Sequence, residues 1–312
     1  MKVPYSLPLI DKSVKQEVND ALNNVGWLTS GPKVIDFEKE ISNLTNCENV
    51  ACVNSWTSGA MLVLRWFGVG LGDEVIIPSY TYSATALSIL NIGATPIMVD
   101  VSDDFNININ LISRSITENT KAIIPVDIGG WPCDFDEIID LLNRNDIKEK
   151  FVPKNEKQKK LGRILFISDA AHSIGAKYNQ MQIGNLVDFT IFSFHSVKNI
   201  TTGEGGAICL NLPQQFDNYL EYKFLKALSL NGQTKSAFEK NQIGSWKYDI
   251  IDQGLKVNMP DICAAIGLAQ IKKYKTELLP ERKSIFNLYN SFFEDKEWAI
   301  TPNFKNSIKE TS

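Results

Sequence analysis

Apolar positions along this chain recur with two alternating periods. Val14 to Leu22 and Val34 to Leu44 carry them at helical spacing, and Gly59 to Phe67 is apolar enough to be a buried helix. Between and after these lie short, nearly unbroken apolar runs: Glu74 to Pro78, Thr95 to Asp100, Lys121 to Val126, and Ile164 to Ser168, which ends at Asp169. Ser83 to Leu90 and Phe135 to Leu142 read as helices separating them. Asp188 to Phe194 and Gly206 to Leu210 read as two further strands joined by a loop. Short apolar strands alternating with helices predict an α/β fold, with a mostly parallel sheet covered on both faces. Right-handed crossovers then leave the functional loops at the strand ends. The polar, lysine-rich stretch from Asn143 to Gly162 is expected to be an exposed insertion. A long helix runs from Asp261 to about Tyr274, and Arg282 to Phe293 is again helical. The expected organisation is a large domain over 12–278. Residues 279–312 would begin a small C-terminal domain, short enough to look truncated, packed with residues 1–11.

Composition narrows the class of protein. The 312 residues are 44% hydrophobic and 22% charged, an ordinary balance for a globular protein. A net charge of −4 gives no global field that would favour nucleic acid. No apolar run is long enough for a membrane span, and Met1 to Tyr5 lacks a secretory pattern. Five scattered cysteines suggest reduced, buried thiols in a cytoplasmic protein. With two histidines and no CxxC pair, a metal site is not expected.

Three loops carry candidate chemistry. Asn54 to Gly59, with Thr57 and Ser58, opens an apolar helix; hydroxyl residues there either cap the helix or cradle a phosphate on its free N–H groups. Asp169 stands at the end of a buried strand, followed by Ala170, Ala171 and His172. It either caps the next turn or meets a cation, because an unpaired buried charge is costly. A protonated pyridinium would serve: two charges about 3 Å apart attract by roughly 5 kcal/mol at an effective dielectric near 20. Lys198 sits among Val197, Asn199 and Ile200 in a loop rich in Gly and Thr. Burial there would lower the amine pKa and favour imine formation with an aldehyde; the plainer reading is an exposed hairpin lysine. Asp169 and Lys198 are 29 residues apart, enough for loop, strand and loop to bring both to one sheet edge.

Asp169-Ala170-Ala171-His172-Ser173-Ile174-Gly175-Ala176 and Phe192 to His195, with Lys198 to Gly206, resemble the DegT/DnrJ/EryC1/StrS family. So do Gly26 to Pro32 with Phe37-Glu38, Pro78 to Ala86, and Gly254 to Asp261 running into Ala264 to Gln270. The resemblance implies the aspartate-aminotransferase-like fold (fold type I) and a pyridoxal 5'-phosphate (PLP) enzyme. It implies that Lys198 forms the Schiff base with the cofactor, that Asp169 pairs with the pyridinium nitrogen, and that Tyr82 and His172 lie at the ring faces. It implies phosphate contacts from Thr57, Ser58 and Ser193. Asn258 would reach the phosphate of a neighbouring subunit, in a homodimer with shared sites. The substrates implied are L-glutamate and a nucleotide-linked keto sugar, in bacterial surface polysaccharide (lipopolysaccharide/O-antigen) synthesis. The chain departs from the family at Asn231-Gly232, at Asp127 where a histidine is frequent, and at Trp56 where a small residue is usual. These departures bear on the substrate more than on the cofactor. Two other readings remain. A sugar dehydratase of the same family would usually have histidine in place of Lys198. A non-catalytic regulator would not need Lys198, Asp169 and Thr57 together.

Overall fold

The computed structural model describes residues 7–241, 246–301 and 308–312. Ten strands are present among them: β1 (Asn49–Val53), β2 (Glu74–Pro78), β3 (Thr95–Val99), β4 (Thr120–Ile123), β5 (Leu165–Asp169), β6 (Lys177–Tyr178), β7 (Met181–Gln182), β8 (Phe189–Ser193), β9 (Gly206–Leu210) and β10 (Lys309–Glu310). Seven form one sheet in the order β1-β9-β8-β5-β4-β2-β3, and β10-β6-β7 form a small second one. The large sheet is parallel except for β9, which runs antiparallel to both β8 and β1. The expectation of a mostly parallel, buried sheet therefore holds. β4, β5, β8 and β9 are buried at every position, which is why their sequences show no alternation.

Proline explains two strand details. β3 carries Pro96, which lacks an N–H for a second neighbour, and β3 lies at the sheet edge. The strand expected to run to Val126 ends at Ile123, just ahead of Pro125. β1 has no counterpart among the expected strands: it is five residues long and its partner β9 is far away in sequence.

The Asn143 to Gly162 stretch is more than a solvated insertion. It holds helices Asn145–Lys148 and Glu156–Leu161, and Gln158 is fully buried. Asn155 Nδ2 and Gln158 Nε2 donate to the Phe67 carbonyl at 3.0 and 2.9 Å, and the Lys157 ammonium lies over the rings of Trp66 and Phe224. Gln158 can be buried because it, with the half-buried Asn155, satisfies an orphan carbonyl at the end of the helix Trp56–Trp66. That helix is thereby pinned at the end far from the site.

At the other end of the chain, the Leu9 carbonyl accepts from Gln270 Nε2 at 3.0 Å, and Asp11 pairs with Lys273. Both partners lie on the helix Asp261–Lys273. The expected packing of 1–11 with 279–312 falls in part on residues 1–6 and 302–307, which lie outside the described residues. The five cysteines are free thiols, four of them buried. Among the described residues no helix is long and apolar enough to cross a membrane.

Gly206, the first residue of β9, is where the sheet meets the start of the helix Trp56–Trp66. A Cβ there would lie 2.8 Å from Phe192 O, Ser55 C and Trp56 N, all backbone atoms. Gly206→Ala is therefore expected to destabilise the fold by about 1–3 kcal/mol. Gly70→Ala, whose nearest atom is 3.8 Å away, should change stability by no more than about 0.5 kcal/mol. Chemical denaturation midpoints of the two variants check the contrast.

Candidate active site

Five segments converge at the carboxyl edge of the parallel strands: Ser55 to Thr57 after β1, Thr81 to Thr85 after β2, Val126 to Gly129 after β4, Asp169 to His172 at the end of β5, and Ser193 to Gly205 from β8 onward. They enclose a cavity of about 610 Å³, within the usual range for a small-molecule site. Asp169, Lys198, His172, Tyr82, Thr57 and Ser193 all line it, as do Asp127 and Trp56.

The Asp169 carboxyl is buried. Thr85 Oγ1 donates to Oδ2 at 3.1 Å and the Ala171 N–H to Oδ1 at 3.2 Å. No cation stands within salt-bridge distance of it among the described residues, and burial pushes its pKa up to about 7, against those two hydrogen bonds. An acid in this position gives up its proton far less readily than an ordinary carboxyl, and a nearby cation would restore its charge.

Lys198 Nζ lies 2.6 Å from His172 Nε2. Burial holds the Lys198 amine below its ordinary pKa, while the Asp169 charge acts the other way. Burial, reinforced by the Lys198 charge, pushes His172 down to about 4, so the imidazole is neutral near pH 7. The loop that carries Lys198 is closed at its neck: the Phe194 N–H donates to Gly205 O at 2.8 Å, and the Thr202 N–H to Phe194 O at 2.9 Å. Gln270 Oε1 accepts the Thr201 N–H at 2.8 Å and ties the loop to the helix Asp261–Lys273. The lysine is thus held in place by backbone bonds made elsewhere in the loop.

The helix Trp56–Trp66 points its N-terminus at the cavity. Ser55 caps it, accepting from the Ser58 N–H at 3.1 Å. The Trp56 and Thr57 N–H groups precede the first intrahelical bond, the 3.1 Å contact from Gly59 to Ser55, so they are available to an anion. Ser58 directs its hydroxyl to Ser55 Oγ at 2.9 Å and does not line the cavity. Trp56 Nε1 is buried and has no hydrogen-bond partner among the described residues.

The model of the DegT/DnrJ/EryC1/StrS aminotransferase family matches residues 8–149 and 155–310. The chain belongs to this family. It is 37% identical over 302 residues to the spore coat polysaccharide biosynthesis protein SpsC of Bacillus subtilis (strain 168), spanning 96% of this chain and 71% of the relative. It is 36% identical over 273 residues to the UDP-4-amino-4-deoxy-L-arabinose–oxoglutarate aminotransferase of Shewanella sediminis, spanning 87% of this chain and 64% of the relative. Among solved structures, Spr1654 of Streptococcus pneumoniae, assigned as a sugar aminotransferase and solved in PMP and PLP forms, superposes with a TM-score of 0.89 in its PMP form. It is 40% identical, and the match covers 97% of this chain and 76% of that one.

Besides Ser58, a second residue implied by the family resemblance, Asn258, stands apart from the cavity. Asn258 bridges to Val53 and donates from Nδ2 to Ser30 Oγ at 2.8 Å. It lines a separate cavity of about 570 Å³ with Ser30, Lys226 and Gln233. Three residues in or beside the main cavity were given no role by sequence reasoning. Thr85 is visible in retrospect only as a threonine four residues after Thr81, the two hydroxyls being 2.8 Å apart. Asp127 and Trp56 stand out in the sequence only as departures from the family pattern.

Proposed function

We propose that this aminotransferase moves an amino group from L-glutamate to a nucleotide-linked keto sugar in the synthesis of a bacterial surface polysaccharide, in the cytoplasm. The observation that carries the reading is a lysine amine with a lowered pKa lining the same cavity as a buried acid that lacks a cation. The residues present fit PLP: an amine for its aldehyde, Asp169 for its ring nitrogen, and free N–H groups at Trp56 and Thr57 for its phosphate. When bound, PLP supplies an aldehyde that captures amines and a cationic ring that withdraws electrons.

The protein's own residues supply the rest. Lys198 Nζ is the nucleophile that holds the cofactor; once released it is the base that moves a proton on the substrate carbon. Neutral His172, 2.6 Å away, orients that amine without adding a competing charge. Thr85 and the Ala171 N–H fix both oxygens of Asp169 so that the carboxylate faces one direction. Tyr82 is 79% exposed, which suits a ring waiting to cover an aromatic ligand. Relatives named for polysaccharide synthesis and for a UDP-amino sugar support the substrate class. The position of Asn258, away from this cavity and beside Ser30, supports a homodimer in which it serves the neighbouring subunit's site.

A panel of nucleotide keto sugars offered with glutamate tests the reading. Glutamate should convert the bound cofactor from its aldehyde to its amine form, and one keto sugar should reverse the change and yield an amino sugar. A spectrum unmoved by glutamate, with no amino sugar formed from any member of the panel, would rule the reading out.

A further inference from the structure

We infer that Asp127 is a positioning residue that clamps the segment carrying Asp169 and His172 against the cofactor cavity. Asp127 follows β4 and is 1% exposed. Its Oδ2 accepts from Ser173 Oγ at 2.6 Å, and its Oδ1 accepts the Cys133 N–H at 3.0 Å. Its own N–H donates to the Asp169 carbonyl at 3.1 Å, where Val126 also bridges to Asp169. One residue therefore grips the segment 169–173 at both ends, with His172 between the two grips.

The turn that Asp127 begins presses on the same segment. Gly129 and Gly130 take φ values of +57° and +86°, the left-handed region that glycine tolerates. A Cβ on Gly130 would lie 2.9 Å from the His172 carbonyl. The same carbonyl accepts from Asn199 Nδ2 at 3.2 Å, next to Lys198 in sequence. Ser173, the clamp's partner, is fully buried. The charged and titratable groups that act on this part of the site are Asp169 and Lys198 at the cavity, Cys133 on the same loop, Lys309 from β10, and Asp104. Burial pushes Asp127 itself up to about 6, so near pH 8 it acts as an ionised acceptor for both donors.

The inference rests on the roles proposed for Lys198, Asp169 and His172. The experiment titrates the apo-protein with PLP, measuring the Kd and the pH midpoint of borohydride-trappable attachment. Asp127→Ala should raise the Kd about tenfold or more. It should also move the midpoint to higher pH, because a loosened segment admits water and the Lys198 amine returns toward its ordinary value. Ser173→Ala, which leaves the carboxylate in place, should shift both quantities in the same sense. Asp127→Asn keeps an acceptor for Cys133 and a partner for the Ser173 hydroxyl, so its Kd should stay within about threefold of wild type. Damage from Asp127→Asn equal to that from Asp127→Ala would assign the effect to charge and overturn the clamp. So would a wild-type Kd and midpoint in both alanine variants, or a lowered melting temperature with the midpoint unmoved. A wild-type protein that traps no PLP on Lys198 would instead sink the reading on which the clamp rests.

Discussion

Lys198→Ala is expected to abolish borohydride-stable attachment of the cofactor and to lower turnover at least ~10⁴-fold. In its proposed role the amine is both the attachment point and the proton carrier, and among the described residues no other lysine lines the cavity. Folding should survive. Lys198 is only half-buried, its amine contacts His172 Nε2, and the loop is held by the backbone bonds of Phe194, Thr201 and Thr202. The loss of stability should stay below about 1 kcal/mol. A second readout is independent of the cofactor. Burial is the main reason His172 titrates low and the Lys198 charge is the next, so the variant's imidazole should titrate higher than in wild type without reaching its ordinary value. Mass spectrometry after reduction and NMR titration of His172 check the two parts. Cofactor trapped covalently in the variant would remove Lys198 from its role.

The fold was readable where a segment's environment is uniform. β5, β8 and β9 lie entirely inside the sheet, so an unbroken apolar run predicts each of them to within a residue or so. Asp169 and Lys198 were readable for a related reason: each is a charge set into apolar or small neighbours, and such a placement calls for a partner. What stayed hidden depends on the tertiary fold. Thr85 matters because its helix brings a hydroxyl to a carboxylate 84 positions later. Asp127 matters because β4 lies beside β5 in the sheet order, which no local pattern records. Gln158 sits in a run that reads as solvated until it meets the Phe67 carbonyl. Asn258 entered the candidate set through the family resemblance alone, and within one subunit it stands in a different cavity.

Asp169→Asn is expected to have opposite effects on stability and on function. In the apo-protein the carboxyl is buried without a cation, and its pKa is pushed from 3.8 up to about 7. The unfolded chain therefore releases this proton at lower pH than the native state does. Between about pH 4 and pH 7 the native state binds more protons, so stability falls as pH rises through this window. Above it the cost of the buried charge is fully developed; a shift of this size corresponds to at most about 4 kcal/mol. An amide has no such cost, and its oxygen and nitrogen can still meet the Ala171 N–H and the Thr85 hydroxyl. Apo Asp169→Asn should thus melt higher than apo wild type at pH 8, with the difference vanishing near pH 4. Asp127, pushed up to about 6, adds the same trend in both proteins; its charge also raises Asp169, and the variant loses that repulsion, which works in the same direction. Function should move the other way. If Asp169 pairs with the ring nitrogen as proposed, its loss leaves that nitrogen without a counter-charge, and turnover should fall by about 10³-fold or more. Melting curves of the two apo-proteins at pH 4 and pH 8, set beside their turnover, decide the matter. A variant that is less stable at pH 8, or one with near-normal turnover, would show that Asp169 is not held in reserve for a cation.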